Sequence, residues 1–199
     1  MQILNSTFVI AIMGVDGSGK STLANHLNRK LKKKYIKIQN LHLRPYFFLT
    51  DTSTVNTNPH SIKKKKLKII SFFTILFWLF MYRIFFFLNL KKRNQLIIFD
   101  RYAHDLLIDK VRYRFNLSKK ITKFILKLFP KPNLWIFLNP PIKIIEKRKK
   151  ELPTHELIRQ SNEYKKLLKT ESNVITLNTK QKSTKNISLI VRKMKSIVI

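Results

Sequence analysis

Residues 8–22 read FVIAIMGVDGSGKST. Phe8 to Met13 are continuously apolar, the pattern of a strand buried on both faces. The run passes directly into Gly14, Val15, Asp16, Gly17, Ser18, Gly19, Lys20, Ser21 and Thr22, which fit the pattern G-x-x-x-x-G-K-[ST]. Small residues at that spacing let successive backbone N–H groups curl around an anion at a helix N-terminus. In such a loop the lysine, Lys20, reaches the outer phosphates of a nucleotide and the hydroxyl, Ser21, reaches Mg2+. A helix must follow, and Leu23, Leu27 and Leu31 recur at helical spacing. Strand, loop and helix together make the stretch a phosphate cradle.

Working outward, further strands are expected at Tyr35 to Leu41, Leu96 to Phe99, Leu134 to Leu138 and Val174 to Leu177. Helical patterns lie at 117–128, 141–151, 154–170 and 183–197. The alternation of strand and helix predicts an α/β chain: a three-layer P-loop fold, with a five-stranded parallel sheet and helices on both faces. No repeat or linker divides the sequence, so one domain over 1–199 is expected. The polar stretch Thr50 to Ser61 is a loop long enough to move.

Composition narrows the function classes. Lys and Arg number 41 against 10 Asp and Glu, a formal charge of +31 that attracts polyanions. The basic runs, Lys32 to Lys34, Lys63 to Lys66 and Lys91 to Arg93, are short and scattered, which reads as solvated surface and makes nucleic acid an unlikely partner. The absence of cysteine excludes disulfides and zinc-thiolate sites and suits a reducing, cytoplasmic compartment. The histidines show no metal-binding spacing, and the first apolar stretch lacks the basic start of a signal peptide. Residues 69–90, IISFFTILFWLFMYRIFFFLNL, are long enough to cross a bilayer. A single span, however, would put the cradle and the later polar cluster Asp100-Arg101-Tyr102 on opposite sides of a membrane. A Lys-flanked pair of buried helices broken near Arg83 is therefore expected, with peripheral docking on an acidic membrane left open.

The polar cluster itself ends a strand. In open α/β sheets ligands sit beyond the carboxyl ends of the strands, so Asp100 is positioned to hold Mg2+ or its water and Arg101 to clamp a phosphate oxygen. The plainer alternative is that Asp100 caps the next helix. After the fourth strand, NPPIKIIEKRKKELPTHE (139–156) predicts a helix with a basic end, Lys147 to Lys150, stopped by Pro153. A basic segment there, about 147–155, can close as a lid over a transferring phosphoryl group.

These residues carry a family resemblance. GVDGSGKST is similar to the phosphate loop of thymidylate kinases, FDRY (99–102) resembles their Asp-Arg-Tyr strand end, and LNPPIKIIEKRKKEL resembles the start of their lid. The resemblance implies ATP and Mg2+ as cofactors and transfer of the γ-phosphoryl group to a nucleoside monophosphate such as dTMP. It implies that Gly14 to Thr22 bind ATP, that Ser21 and Asp100 hold the metal, and that Lys20, Asp100, Arg101 and Arg148 are catalytic. Asp16, Arg44, Arg101 and Tyr102 fall on the acceptor side.

The chain also departs from the family pattern. NLHLRPYFF keeps only Arg44 and Pro45 of the usual Arg-Glu-Pro-Gly-Gly stretch, and AHDLLIDKVRYRF replaces the usual Ser-Ser and Tyr-Gln. The combination with RQSNEYKKL resembles a branch often associated with bacterial surface-polysaccharide genes. Two alternatives stand beside the nucleotide kinase: a kinase of a saccharide or lipid-linked acceptor at the membrane surface, and a non-catalytic nucleotide-gated nucleic-acid-binding module. The sequence leaves a homodimer open.

Overall fold

The computed structural model describes residues 6–43, 67–149, 152–178 and 183–198. Five strands form one parallel sheet: β1 (Phe8–Met13), β2 (Lys37–His42), β3 (Gln95–Asp100), β4 (Leu134–Leu138) and β5 (Val174–Leu177), in the order β2-β3-β1-β4-β5. Helix α1 (Lys20–Leu31) follows β1, and α2 (Lys68–Leu90) precedes β3. The short α3 (Asp105–Ile108) and α4 (Lys119–Leu126) precede β4; α5 (Ile142–Arg148) and α6 (Thr154–Leu168) precede β5; α7 (Ser183–Val198) ends the chain.

The two sheet faces are read directly from alternation along the central strands, because successive side chains point to opposite sides. Val9, Ala11 and Met13 share a core with Ile97, Phe99, Trp135 and Phe137, covered by α2, α4 and α6. Phe8, Ile10 and Ile12 face the other way with Leu96, Ile98, Leu134 and Ile136, covered by α1 and α7. The expected three layers are therefore present. Burial on both faces is also why β1, β4 and the Leu96–Phe99 stretch of β3 are continuously apolar, whereas the edge strand β2, KIQNLH, is not.

Three expectations need correction. Residues 68–90 form one continuous helix of 23 residues, not a pair broken near Arg83. No proline or glycine interrupts the run, and Arg83 stays in register by donating from Nη2 to the Leu128 carbonyl, 3.0 Å away. Nor is this helix wholly buried: Ser71, Ile75, Trp78, Tyr82, Phe85, Phe86 and Asn89 face the core, while Phe73, Phe77, Phe80 and Phe87 face solvent. Finally, α5 ends at Arg148 as Lys149 turns extended, and Pro153 opens α6 rather than stopping α5. The stretch 50–61 lies outside the described residues.

An aromatic cluster ties α2 to the sheet and to the chain after β3. Tyr82 stacks on Phe99 at 5.7 Å and meets Tyr102 edge-on at 5.1 Å, and its hydroxyl donates to the Leu43 carbonyl at 2.8 Å. Tyr102, completely buried, packs edge-on against Trp135 and donates to the Pro130 carbonyl at 2.5 Å. His104 lies flat against Tyr102 and edge-on to Trp135, with its Nδ1 buried and unpartnered. Burial, helped by the Lys131 charge, pushes the His104 imidazole down to about 3.

His104 is therefore neutral when folded and takes up a proton on unfolding at any pH between about 3 and its ordinary 6.5. The unfolded chain binds more protons in that window, so stability falls as pH drops through it, by ~1.4 kcal/mol per pH unit at most. His104→Phe should flatten this part of the acid limb in urea titrations at stepped pH. An unchanged slope would show that His104 is not the group responsible.

Candidate active site

The end of β1 delivers the loop to the carboxyl edge of the sheet. All three glycines of the chain lie in it. A Cβ on Gly14 would stand 2.7 Å from the Leu138 carbonyl oxygen, so the loop hugs β4 closely only because that atom is missing. Gly19 has φ 94°, a left-handed conformation, and sits immediately before the first turn of α1. Glycines at such positions are what a loop needs if its backbone is to approach an anion at a helix N-terminus. Lys20 Nζ donates to the carbonyls of Gly14 and Val15, each at 2.9 Å, and lies 3.7 Å from Asp16. Burial and the Arg101 charge outweigh the neighbouring carboxylates and lower the Lys20 ammonium to about 8.

Strand β3 brings the second group. Asp100 pairs in register with Ile12 of β1 and His42 of β2, and its Oδ2 accepts the Ser21 hydroxyl at 2.8 Å. Its other oxygen is buried with no hydrogen-bond partner, the condition of a carboxylate with one acceptor free for a ligand. The residue before α3 is His104, so Asp100 does not cap the following helix. Among the described residues no group of three or more His, Asp and Glu could hold a metal. An ion here would take Ser21 and Asp100 from the protein and complete its shell with phosphate oxygens, which suits Mg2+.

Arg101 is the hub. Its backbone N–H donates to the Ile12 carbonyl at 3.0 Å, extending the ladder beyond β3, while its φ of 75° turns the chain sharply. A left-handed conformation costs a bulky residue ~1–2 kcal/mol and persists where surroundings over-determine it. Here those surroundings are carboxylates on both sides: Nη1 donates to Asp105 at 2.6 Å and Nη2 donates to Asp16. Asp105, fully buried, also accepts the hydroxyls of Tyr164 at 2.8 Å and Tyr113 at 3.4 Å. Asp16 accepts from Arg112 as well. Burial opposes ionisation of Asp16, but Arg101, Lys20 and Arg112 overcome it and hold this carboxyl well below the usual range.

The basic end of α5 stands over the loop. Arg148 Nη1 lies 3.6 Å from the Cβ position of Gly19, and Lys149 Cβ lies 3.3 Å from that of Gly17. The structure therefore gathers Gly14 to Thr22, Asp100, Arg101 and Arg148 at one edge. Tyr102 does not join them: its side chain has no exposed surface and its hydroxyl is used by Pro130, which corrects its assignment to the acceptor side. Arg44 lies outside the described residues. Sequence reasoning missed Arg112, Tyr113 and Tyr164 as partners of this network. Their signal was present, in the stretches RYRF and RQSNEY that depart from the family pattern.

The thymidylate kinase family profile matches residues 12–190. The chain belongs to the thymidylate kinase family. It is accordingly a phosphotransferase that acts on nucleotides, which sets aside a non-catalytic module. No curated protein sequence matches it. Among solved structures it is similar to thymidylate kinase from Candida albicans, described for its broad substrate specificity: 18% identity, 98% of this chain and 94% of that one covered, TM-score 0.63. A second is deoxyadenosine kinase from M. mycoides, solved with dCMP and dCDP, at 20% identity, 96% and 100% coverage and TM-score 0.59. Thymidylate kinase from Ehrlichia chaffeensis follows at 14% identity, 94% and 98% coverage and TM-score 0.56. At these identities the likeness carries the fold.

The network around Arg101 makes a stability prediction. Asp105→Ala would leave a buried guanidinium with one carboxylate fewer and two buried hydroxyls unpaired, a loss of ~3–5 kcal/mol in urea unfolding. Asp105→Asn, which keeps an acceptor oxygen, should lose clearly less. Equal, small losses below ~1 kcal/mol for both would remove Asp105 from the role of anchor.

Proposed function

We propose that the protein transfers the γ-phosphoryl group of ATP to a nucleoside monophosphate, dTMP or a close relative. One observation carries this reading: a glycine cradle with its Ser21–Asp100 pair opens beside Asp16, a loop carboxylate flanked by Arg101 and Arg112. Donor cradle and acceptor-side cations then share one strand edge, as in-line transfer between two bound phosphates requires.

On the donor side, Gly14 to Thr22 wrap the ATP phosphates. Lys20 exchanges the carbonyls of Gly14 and Val15 for phosphate oxygens, and Ser21 and Asp100 hold Mg2+. When bound, that ion neutralises phosphate charge. On the acceptor side, Asp16 orients the acceptor, and Arg101 and Arg112 supply positive charge. Arg112, more exposed than Arg101, is the readier of the two to meet an incoming phosphate. Arg148 and Lys149 neutralise charge developing on the transferred group, in a lid formed by about 147–155. The chain works as a single catalytic domain in the cytoplasm.

The test is ADP release from ATP and Mg2+ with dTMP, dUMP and other monophosphates supplied singly. Strong stimulation by a pyrimidine monophosphate is expected, with Lys20→Ala reducing kcat at least ~100-fold through loss of charge at the phosphates. If no nucleoside monophosphate stimulates release by protein that binds ATP, the acceptor assignment fails and saccharide or lipid-linked acceptors take its place. Full activity in Lys20→Ala would remove the loop from the chemistry.

A further inference from the structure

The acceptor side of the site is closed by a contact of its own. Arg112 Nη1 donates to Oδ2 of Asp16 while Arg101 Nη2 donates to Oδ1, so both carboxylate oxygens are engaged before an acceptor arrives. Burial opposes ionisation of Asp16, but Arg101, Lys20 and Arg112 keep it charged well below the usual carboxylate range. Protonation therefore does not open the contact near neutral pH; a competing anion must.

The two arginines differ in what holds them. Arg101 has only 3% of its side chain exposed and is shared between Asp16 and Asp105, so moving it would strand a buried carboxylate. The Arg112 side chain is 19% exposed, and the fold pins its backbone. Its N–H donates to Asp109 Oδ1 at 3.2 Å, and the Phe115 N–H donates to the Lys110 carbonyl at 2.9 Å. Between them Tyr113 is buried, its hydroxyl 3.4 Å from Asp105. A long side chain on a fixed turn can swing while the turn stays, and a partly exposed ion pair is the cheaper of the two to exchange.

We infer, resting on the reading of this site as that of a nucleoside monophosphate kinase, that Arg112 is a latch on Asp16 which the acceptor's phosphate opens, making acceptor binding conditional on that phosphate. A phosphate monoester offers the guanidinium paired, doubly charged oxygens in place of the carboxylate, the geometry an arginine fork grips best. As Arg112 turns to it, Asp16 Oδ2 is left to accept a hydroxyl of the same molecule, so no buried charge loses its partner. A neutral analogue brings the hydroxyl alone. It must break the ion pair and gives Arg112 nothing in return. The latch thus selects molecules that carry both a phosphate and a sugar hydroxyl.

The experiment takes the full chain saturated with ADP and Mg2+, so that the donor cradle is filled, as wild type and as Arg112→Ala, and measures binding of dTMP and thymidine by calorimetry. Arg112→Ala should bind dTMP at least about tenfold more weakly, having lost a charged donor. It should bind thymidine about fivefold more tightly, having lost the latch. In protein that binds dTMP, thymidine that gains nothing from Arg112→Ala reduces Arg112 to a plain phosphate contact and overturns the inference. A second readout does not need the acceptor to be a nucleotide. Asp and Glu together number 10, so side-chain carboxyl 13C signals are few, and that of Asp16 is the one missing in Asp16→Asn. Inorganic phosphate should move this signal in the wild type and leave it still in Arg112→Ala. If phosphate moves it but neither dTMP nor thymidine binds, the latch stands and the nucleotide reading falls. If phosphate leaves it unmoved in the wild type, the latch falls whatever dTMP does.

Discussion

A buried relay of charge, Asp16 to Arg101 to Asp105, holds the site together. It joins three pieces of chain that the sheet brings close but does not itself connect: the phosphate loop after β1, the strand end of β3 and the start of α3. Arg101 sits in a left-handed conformation, and both of its terminal nitrogens are occupied by carboxylates. In a chain with so few acids, placing two of them on one guanidinium concentrates scarce negative charge where it matters most. Burial weakens water's competition for these ions, so the relay is rigid only while every member is present.

The same scarcity shapes the phosphate loop. Asp16 is crowded by Arg101, Arg112 and Lys20, and Lys20 closes on the carbonyls of its own loop. The cradle is closely packed, because Gly14 and Gly19 remove side chains where backbone must approach backbone or turn left-handed. The basic end of α5 adds positive charge above the loop. A polyphosphate entering such a site would have to draw Lys20 away from the carbonyls of Gly14 and Val15.

The fold was highly legible. Strands β1 and β4 begin and end where their apolar runs do, because a strand buried on both faces has no polar alternation to blur its limits. Edge strand β2 runs from Lys37 to His42 rather than from Tyr35 to Leu41, since none of its residues is fully buried and its apolar pattern is correspondingly weak. Helix α2 was misread as two helices. An all-apolar helix looks the same from sequence whether its second face meets protein, lipid or water, and a lone Arg83 resembles a break until its partner, the Leu128 carbonyl, is seen.

The sequence by itself determined the phosphate cradle, the parallel sheet and the strand-end aspartate, because each rests on local spacing: glycines, apolar periodicity and a polar residue at the close of a strand. Tertiary structure alone decided which cations serve which carboxylates. Arg112 and Asp16 are far apart in the chain, as are Tyr164 and Asp105, and no local pattern encodes such a pairing. It likewise turned Tyr102, adjacent to Arg101, away from the site and into the aromatic core. Neighbours in sequence at a sharp turn point in opposite directions, and only the packing around them says which one meets the ligand.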